Sequence, residues 1–142
     1  MSALISFRPL AYADIPMFLQ WLSQPHVAEW WEPPPIHEIE ALCAHSTKDR
    51  RGDLHYIALQ KDLGAIGFIQ TYFAVEGHAD GWWLNEHDPG VRGIDQFLGD
   101  AEQLGRGLGT ALIRAFVAAQ FEDPSVTRIQ CDPALLMYCD RN

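Results

Sequence analysis

Apolar and polar positions change period several times along this chain, and each change marks an element. The opening ISFRPL alternates at period two, as a half-buried strand does, and Pro9 closes it. From Ile15 onward Met17, Phe18, Trp21 and Leu22 recur at helical spacing, with Asp14 placed at the amino end of the predicted amphipathic helix. The stretch HVAEWWEPPPIHE then breaks the pattern: three consecutive prolines hold the chain extended, which predicts an exposed loop carrying aromatic side chains. Ile36, Ile39, Leu42 and Cys43 share one face of a second helix running to about Ser46. LHYIALQ and AIGFIQTYFAV are two β-rich runs joined by KDLG, a hairpin signature. After the acidic, turn-rich EGHADGWWLNEHDPG come a strand over 91–98, a helix over 107–120 and a last strand, SVTRIQCD. The predicted order β, α, α, β, β, β, α, β is that of a mixed α/β (α+β) sheet protein, with the last helix crossing between parallel neighbours.

The 142 residues, 48% of them hydrophobic, suffice for one core, so residues 1–142 are expected to form one domain. Nineteen acidic against ten basic side chains give a net charge of −9, which disfavours nucleic acid and anionic membranes and suits a cationic partner. Acidity of this size also serves solubility alone. Cys43, Cys131 and Cys139 form no CxxC pair and are odd in number, so a reducing, cytoplasmic setting is expected in place of a disulfide framework. The six histidines show no ligand spacing, so no metal site is expected. Neither a leader segment nor an apolar run long enough to span a membrane is found.

The segment RGIDQFLGDAEQLGRGLGT, Arg92 to Thr110, carries the most chemistry. It leads a strand into a turn where Gly105, Gly107 and Gly109 alternate with Arg106 and Leu108, and then into a helix. Such a turn lets several backbone N–H groups converge on one anion, and the helix adds the positive end of its dipole. Close packing is the plain alternative. With the element order, this loop resembles the GNAT acyl-CoA-dependent N-acetyltransferases, which carry [RQ]-x-x-G-x-[GA] here. Leu104 stands where the basic or amide residue leads that pattern, while Gly107 and Gly109 match it. The resemblance implies that acetyl-CoA is cradled by Leu104, Gly105, Arg106, Gly107, Leu108, Gly109 and Thr110. It also implies that backbone N–H groups near Phe97 and Leu98 polarise the thioester where two strands splay.

Four further phrases narrow the resemblance: EWW at Glu29 to Trp31, DGWW at Asp80 to Trp83, DPGVRGIDQ at Asp88 to Gln96 and DPSVTRIQCDP ending at Pro133. Together with QLGRGLGT they look like the type I aminoglycoside 6′-N-acetyltransferases. An aminoglycoside is a polyamine, which carboxylates hold and tryptophan faces suit. Glu29, Glu32, Asp80, Glu86, Asp88, Asp95 and Asp132 are candidate carboxylates, and one ring of each tryptophan pair is expected to be functional and its neighbour buried. Trp30 and Trp82 stand for the two pairs, with the functional member of each left open, and Glu29, Asp80, Asp95 and Asp132 are the expected partners of the drug. Asp95 stands out because it lies in the fourth strand between Ile94 and Phe97. By resemblance it contacts the reactive amine and serves as general base, the alternative role being an electrostatic anchor.

Past Pro133 the likeness stops, and the helix and two strands that close the family's coenzyme cleft have no counterpart. Tyr138 is the tail's one tyrosine, with nothing to place it on such a helix. The expectations are weakened acetyl-CoA affinity, slow turnover, and self-association as a homodimer through the uncovered fifth strand. A drug-sequestering protein without turnover is the alternative function.

Overall fold

A computed structural model describes residues 4–48, 54–81 and 83–131 of the chain. Among these residues five strands form one sheet in chain order: β1 (Ile5–Pro9), β2 (Leu54–Gln60), β3 (Gly64–Phe73), β4 (Val91–Leu98) and β5 (Arg128–Gln130). Neighbours are antiparallel except β4 and β5, which run parallel on either side of a crossover helix. Gln60 accepts from the N–H groups of Asp62 and Leu63 through its side chain, and so closes the predicted β2–β3 turn.

Among the described residues, four α-helices cover the sheet. On one face lie α1 (Ile15–Leu22), α2 (Pro25–Ala28) and α3 (Ile36–Lys48), and on the other α4 (Leu108–Gln120). The first face is aromatic: Phe68 and Phe97 stack with centroids 5.5 Å apart, and Phe18 packs on Phe68 at 4.9 Å. Leu10, Val27, Ile39 and Ile57 complete that layer, each essentially excluded from solvent. On the second face Ile69, Ile94 and Leu98 meet Leu108, Leu112 and Phe116 of α4. Strand alternation thus sends Phe97 and Leu98, adjacent in sequence, into opposite layers.

The segment before α1 is pinned by Asp14, whose carboxylate takes both terminal nitrogens of Arg8, at 2.6 and 2.7 Å, and the Ala11 N–H at 2.9 Å. The Arg8 guanidinium holds the Asp14 carboxyl below the usual carboxylate range despite opposing desolvation. The stretch expected to be a loop contains one helical turn, α2. Pro25 at its first position tolerates the missing N–H, and Val27 buries its side chain against the aromatic layer. The last strand is shorter than the SVTRIQCD run, because a turn closed by Asp123 over Ser125 occupies its start.

Candidate functional site

β4 is the axis of the site. The Gly99 N–H donates to the Ile66 carbonyl at 2.9 Å, continuing the antiparallel register in which Phe97 faces Phe68 and Asp95 faces Gln70. In such a ladder bonded pairs alternate, so the peptide groups of Phe97 and Asp95 are turned to β3, and those of Gln96 and Leu98 to the opposite edge. Along that edge, among the described residues, β5 pairs with Val91, Arg92 and Gly93. Among the described residues, the rest of β4 therefore faces a gap into which Gln96 and Leu98 aim their N–H groups. This corrects the expectation for Phe97, whose N–H belongs to the β3 ladder. Its ring instead forms part of a wall, meeting Trp31 edge-on at 5.2 Å.

The glycine turn follows directly. Asp100 accepts from the Glu102 N–H at 2.9 Å and sets a short 3₁₀ turn over Ala101–Gln103. Gly105 and Gly107 then take φ of +76° and +82°, a left-handed conformation unfavourable for residues bearing a Cβ. The first bond of α4 runs from the Ala111 N–H to the Gly107 carbonyl, and Gly107 brings no side-chain cap. Leu108, Gly109 and Thr110 thus hold N–H groups without intrahelical acceptors, at the positive end of a 13-residue helix. No atom comes within 4 Å of where a Cβ would stand on Gly105 or Gly107, so the turn is an open cradle. Its donor set fits a diphosphate. Leu104 and Arg106 are both exposed on its rim.

Asp95 lies on the Phe97 face, midway between the aromatic wall and Gly93. The Gln70 side-chain amide donates to its Oδ2 at 3.0 Å, which orients the carboxylate. Two residues further along β3, the Tyr72 ring occupies the space a Cβ on Gly93 would fill, 2.3 Å from its nearest atom. The Tyr72 hydroxyl accepts from the indole N–H of Trp83 at 3.1 Å. Trp83 has φ of 55°, and its carbonyl accepts from His78 Nε2 at 2.8 Å. A strained residue held at both ends, with its indole on Tyr72, marks a shaped surface. Trp31, Asp95, Gln70, Tyr72 and Trp83 therefore line one face.

Of the substrate-side residues expected from sequence, Glu29 and Trp30 project into solvent just after α2, while Trp31 packs on Phe68 and Phe97. Trp82, Asp132 and Tyr138, with the Asp80 side chain, lie outside the described residues. Glu86 pairs with Arg128, and Asp88 accepts from the Gly90 N–H and the Thr127 hydroxyl, so both tie the 81–90 segment to β5. Those bonds hold the Asp88 carboxyl below its ordinary range. Beside them an open depression of about 520 Å³ is lined by Trp83, Leu84, Glu86, Arg128 and Gln130. Among the described residues, no three His, Cys, Asp or Glu side chains are placed to hold a metal ion, and no helix is long and apolar enough to cross a membrane.

The profile of the acetyltransferase (GNAT) domain family matches residues 11–136. The chain belongs to this family. It is 42% identical over 134 residues to the aminoglycoside N(6′)-acetyltransferase type 1 of Klebsiella pneumoniae, a match covering 92% of the chain and 66% of that protein. The chain thus spans just under two thirds of that relative's length. A kanamycin resistance protein of Rhizobium radiobacter is 64% identical over 53 residues, covering 37% of the chain and 49% of that protein. Among solved structures, the aminoglycoside acetyltransferase AAC(6′)-Ib in complex with coenzyme A and kanamycin superposes with a TM-score of 0.83 at 41% identity, over 97% of this chain and 80% of that one. The glycine turn thus belongs to a GNAT domain.

Gln70, Tyr72 and His26 were missed by sequence reasoning. A glutamine inside the apolar run AIGFIQTYF was the available signal for the first, since a strand interior seldom holds an amide without a partner. No local pattern marks Tyr72 or His26.

Proposed function

We propose that this protein transfers an acetyl group from acetyl-CoA to the 6′-amine of an aminoglycoside. One observation carries it: β4 presents a Gln70-oriented carboxylate at Asp95 and, three residues on, a gap-facing N–H at Leu98, directly before a diphosphate-shaped cradle. The names of its relatives supply the drug class.

Each group has a role on this reading. The N–H groups of Leu108 to Thr110 hold the diphosphate of the donor. The thioester lies in the gap, where the Leu98 and Gln96 N–H groups meet the charge that grows on its carbonyl oxygen as the amine attacks. The coenzyme supplies an acyl group on a good thiolate leaving group. Asp95 binds the 6′-ammonium and takes its proton, freeing the lone pair for attack. Gln70 donates to Oδ2 and so orients the carboxylate for that proton. The exposed Glu29 and Trp30, with Asp80, Trp82 and Asp132, bind the remaining amines and sugar faces of the drug, and the net charge of −9 draws the polycation in.

Calorimetry with kanamycin and, separately, acetyl-CoA, followed by a thiol-release assay on the same sample, tests the proposal. Both ligands should bind, thiol release should require both, and rising salt should weaken the drug. Drug binding without thiol release would replace the enzyme with a sequestering protein. Binding of neither would remove both.

A further inference from the structure

We infer that His26 is a positioning residue for acetyl transfer, holding the peptide of β4 that follows the thioester-facing N–H of Leu98 and tying it to the wall on the amine side. The inference rests on the acetyl-transfer function proposed above. His26 Nε2 lies 2.7 Å from the Leu98 carbonyl oxygen, a contact between residues 72 apart in sequence. A carbonyl only accepts, so Nε2 carries a proton and donates it. Nδ1 is buried and has no hydrogen-bond partner among the described residues, so Leu98 is the ring's one polar tether there.

What the bond does follows from the peptide it lands on. The Leu98 carbonyl and the Gly99 N–H belong to one planar unit. The Gly99 end is bonded to Ile66 in β3, and the Leu98 end, on the side where no strand pairs with it among the described residues, is bonded to His26. That plane is held at both edges. The preceding plane is held on the β3 side by the ladder through Phe97. The Leu98 N–H lies in that preceding plane, and the His26 bond, by fixing the torsions of Leu98 from the other side, keeps that plane from pivoting. A free carbonyl at this edge would lose that restraint and leave an acceptor for water beside the thioester.

The ring is placed by elements that also build the amine side. Pro25 starts α2 and Val27 anchors it in the core, and the Trp31 N–H bonds back to the Val27 carbonyl at 2.9 Å. Trp31 packs on Phe97, one residue before Leu98. On the next residue the Trp21 indole fills the space over Gly99, 2.2 Å from where a Cβ would be. Phe97, Leu98 and Gly99 are thereby registered against the segment after α2, α2 and α1 by a ring contact, a hydrogen bond and a close approach. His26 is the polar member of this clamp, and it sets amine and acyl group in one frame.

His26→Phe keeps a ring and removes the donor, while His26→Gln supplies an amide N–H in its place. In the phenylalanine variant kcat should fall by about tenfold or more, and affinity for coenzyme A without acetyl should stay within about twofold, since the cradle at Gly105 to Thr110 is untouched. The glutamine variant should recover most of kcat. Unchanged kcat in His26→Phe, a parallel loss of coenzyme A affinity, or no recovery in His26→Gln would overturn the assignment. His26→Leu gives the same comparison should the phenylalanine variant not fold. The Leu98 amide resonance in ¹⁵N spectra of the free protein reads the clamp without turnover: it should move in the phenylalanine variant and return in the glutamine one. If the unsubstituted protein releases no thiol, acetyl transfer fails while this resonance still decides the clamp, and an unmoved resonance overturns it.

Discussion

Three glycines within five residues invite one explanation, yet the structure gives them two, and alanine at each separates them. Gly105 and Gly107 sit at φ of +76° and +82° with open space where a Cβ would go, so alanine there meets no atom and strains only the backbone. The left-handed conformation disfavours an L-residue by roughly 1–2 kcal/mol. Alanine also narrows the unfolded ensemble, which offsets about 0.4–1 kcal/mol of that. A net loss of about 1 kcal/mol remains. With about 2 cal/mol/K of unfolding entropy per residue, the 142-residue chain should then lose about 3 °C in Tm for each substitution. Gly109 differs: it lies inside the first turn of α4, and its Cβ would stand an ordinary 3.9 Å from Leu98. Alanine there should be neutral or raise Tm by up to about 3 °C, the helix preference favouring it by as much as 1 kcal/mol. Thermal unfolding by circular dichroism at one pH and salt concentration measures all three. A fall at Gly109 as large as at the other two would refute the distinction. No fall at Gly105 or Gly107 would refute the left-handed turn on which the cradle depends.

Further outcomes follow from the rest of the site. Asp95→Asn should keep the fold, since an amide oxygen still accepts from Gln70, and lower kcat by about 10²- to 10⁴-fold in steady-state assays; a loss under about threefold would leave Asp95 as an anchor and remove it as the base. Gln70→Leu takes away the hydrogen bond that orients the Asp95 carboxylate, so kcat should fall by about tenfold in steady-state assays. An unchanged kcat would show that Gln70 does not act through Asp95. Asp14→Asn should destabilise by about 1–3 kcal/mol at pH 7 in urea titrations. Because the folded carboxyl is held below its unfolded value, that advantage is complete above about pH 4 and disappears as pH falls through the folded value, so the two proteins should converge in acid. A gap that persists to low pH would mean that packing, not charge, is lost.

Elements whose periodicity is local were legible in the sequence. VRGIDQFL forms β4 over the expected residues because its composition suits a buried strand, and KDLG turns between β2 and β3. The helix after the glycines begins at Leu108, within a residue of its expected start. The GNAT assignment was legible too, because the glycine turn and its flanking phrases are contiguous. What escaped depends on contacts across the chain. The single turn of α2 is too short for any period to show, and Val27 makes it by finding the core. Prolines at 33–35 suggested extended chain for the whole segment, though they govern only the part after Trp31. Which tryptophan of EWW is buried was open from sequence. Packing of Trp31 on Phe68 and Phe97 settles it, and leaves Trp30 outside. The direction of the Phe97 N–H follows from register, which alternation alone does not fix.

Asp95 and Leu98 are three residues apart on one strand, and this makes the backbone a ruler. Successive residues of a strand advance about 3.3 Å, so the carboxylate and the acyl-facing N–H are spaced about 10 Å along β4 by covalent geometry alone. No hinge has to close to bring them to that separation. The same rigidity makes the spacing unforgiving. Inserting or deleting one residue between them would turn Asp95 from the Trp31 face to the α4 face or redirect the Leu98 N–H into β3, and either change parts the two halves of the reaction while leaving every side chain in place. Diversity in amine recognition can therefore collect in the loops around β4, but the length of β4 between these two positions cannot drift.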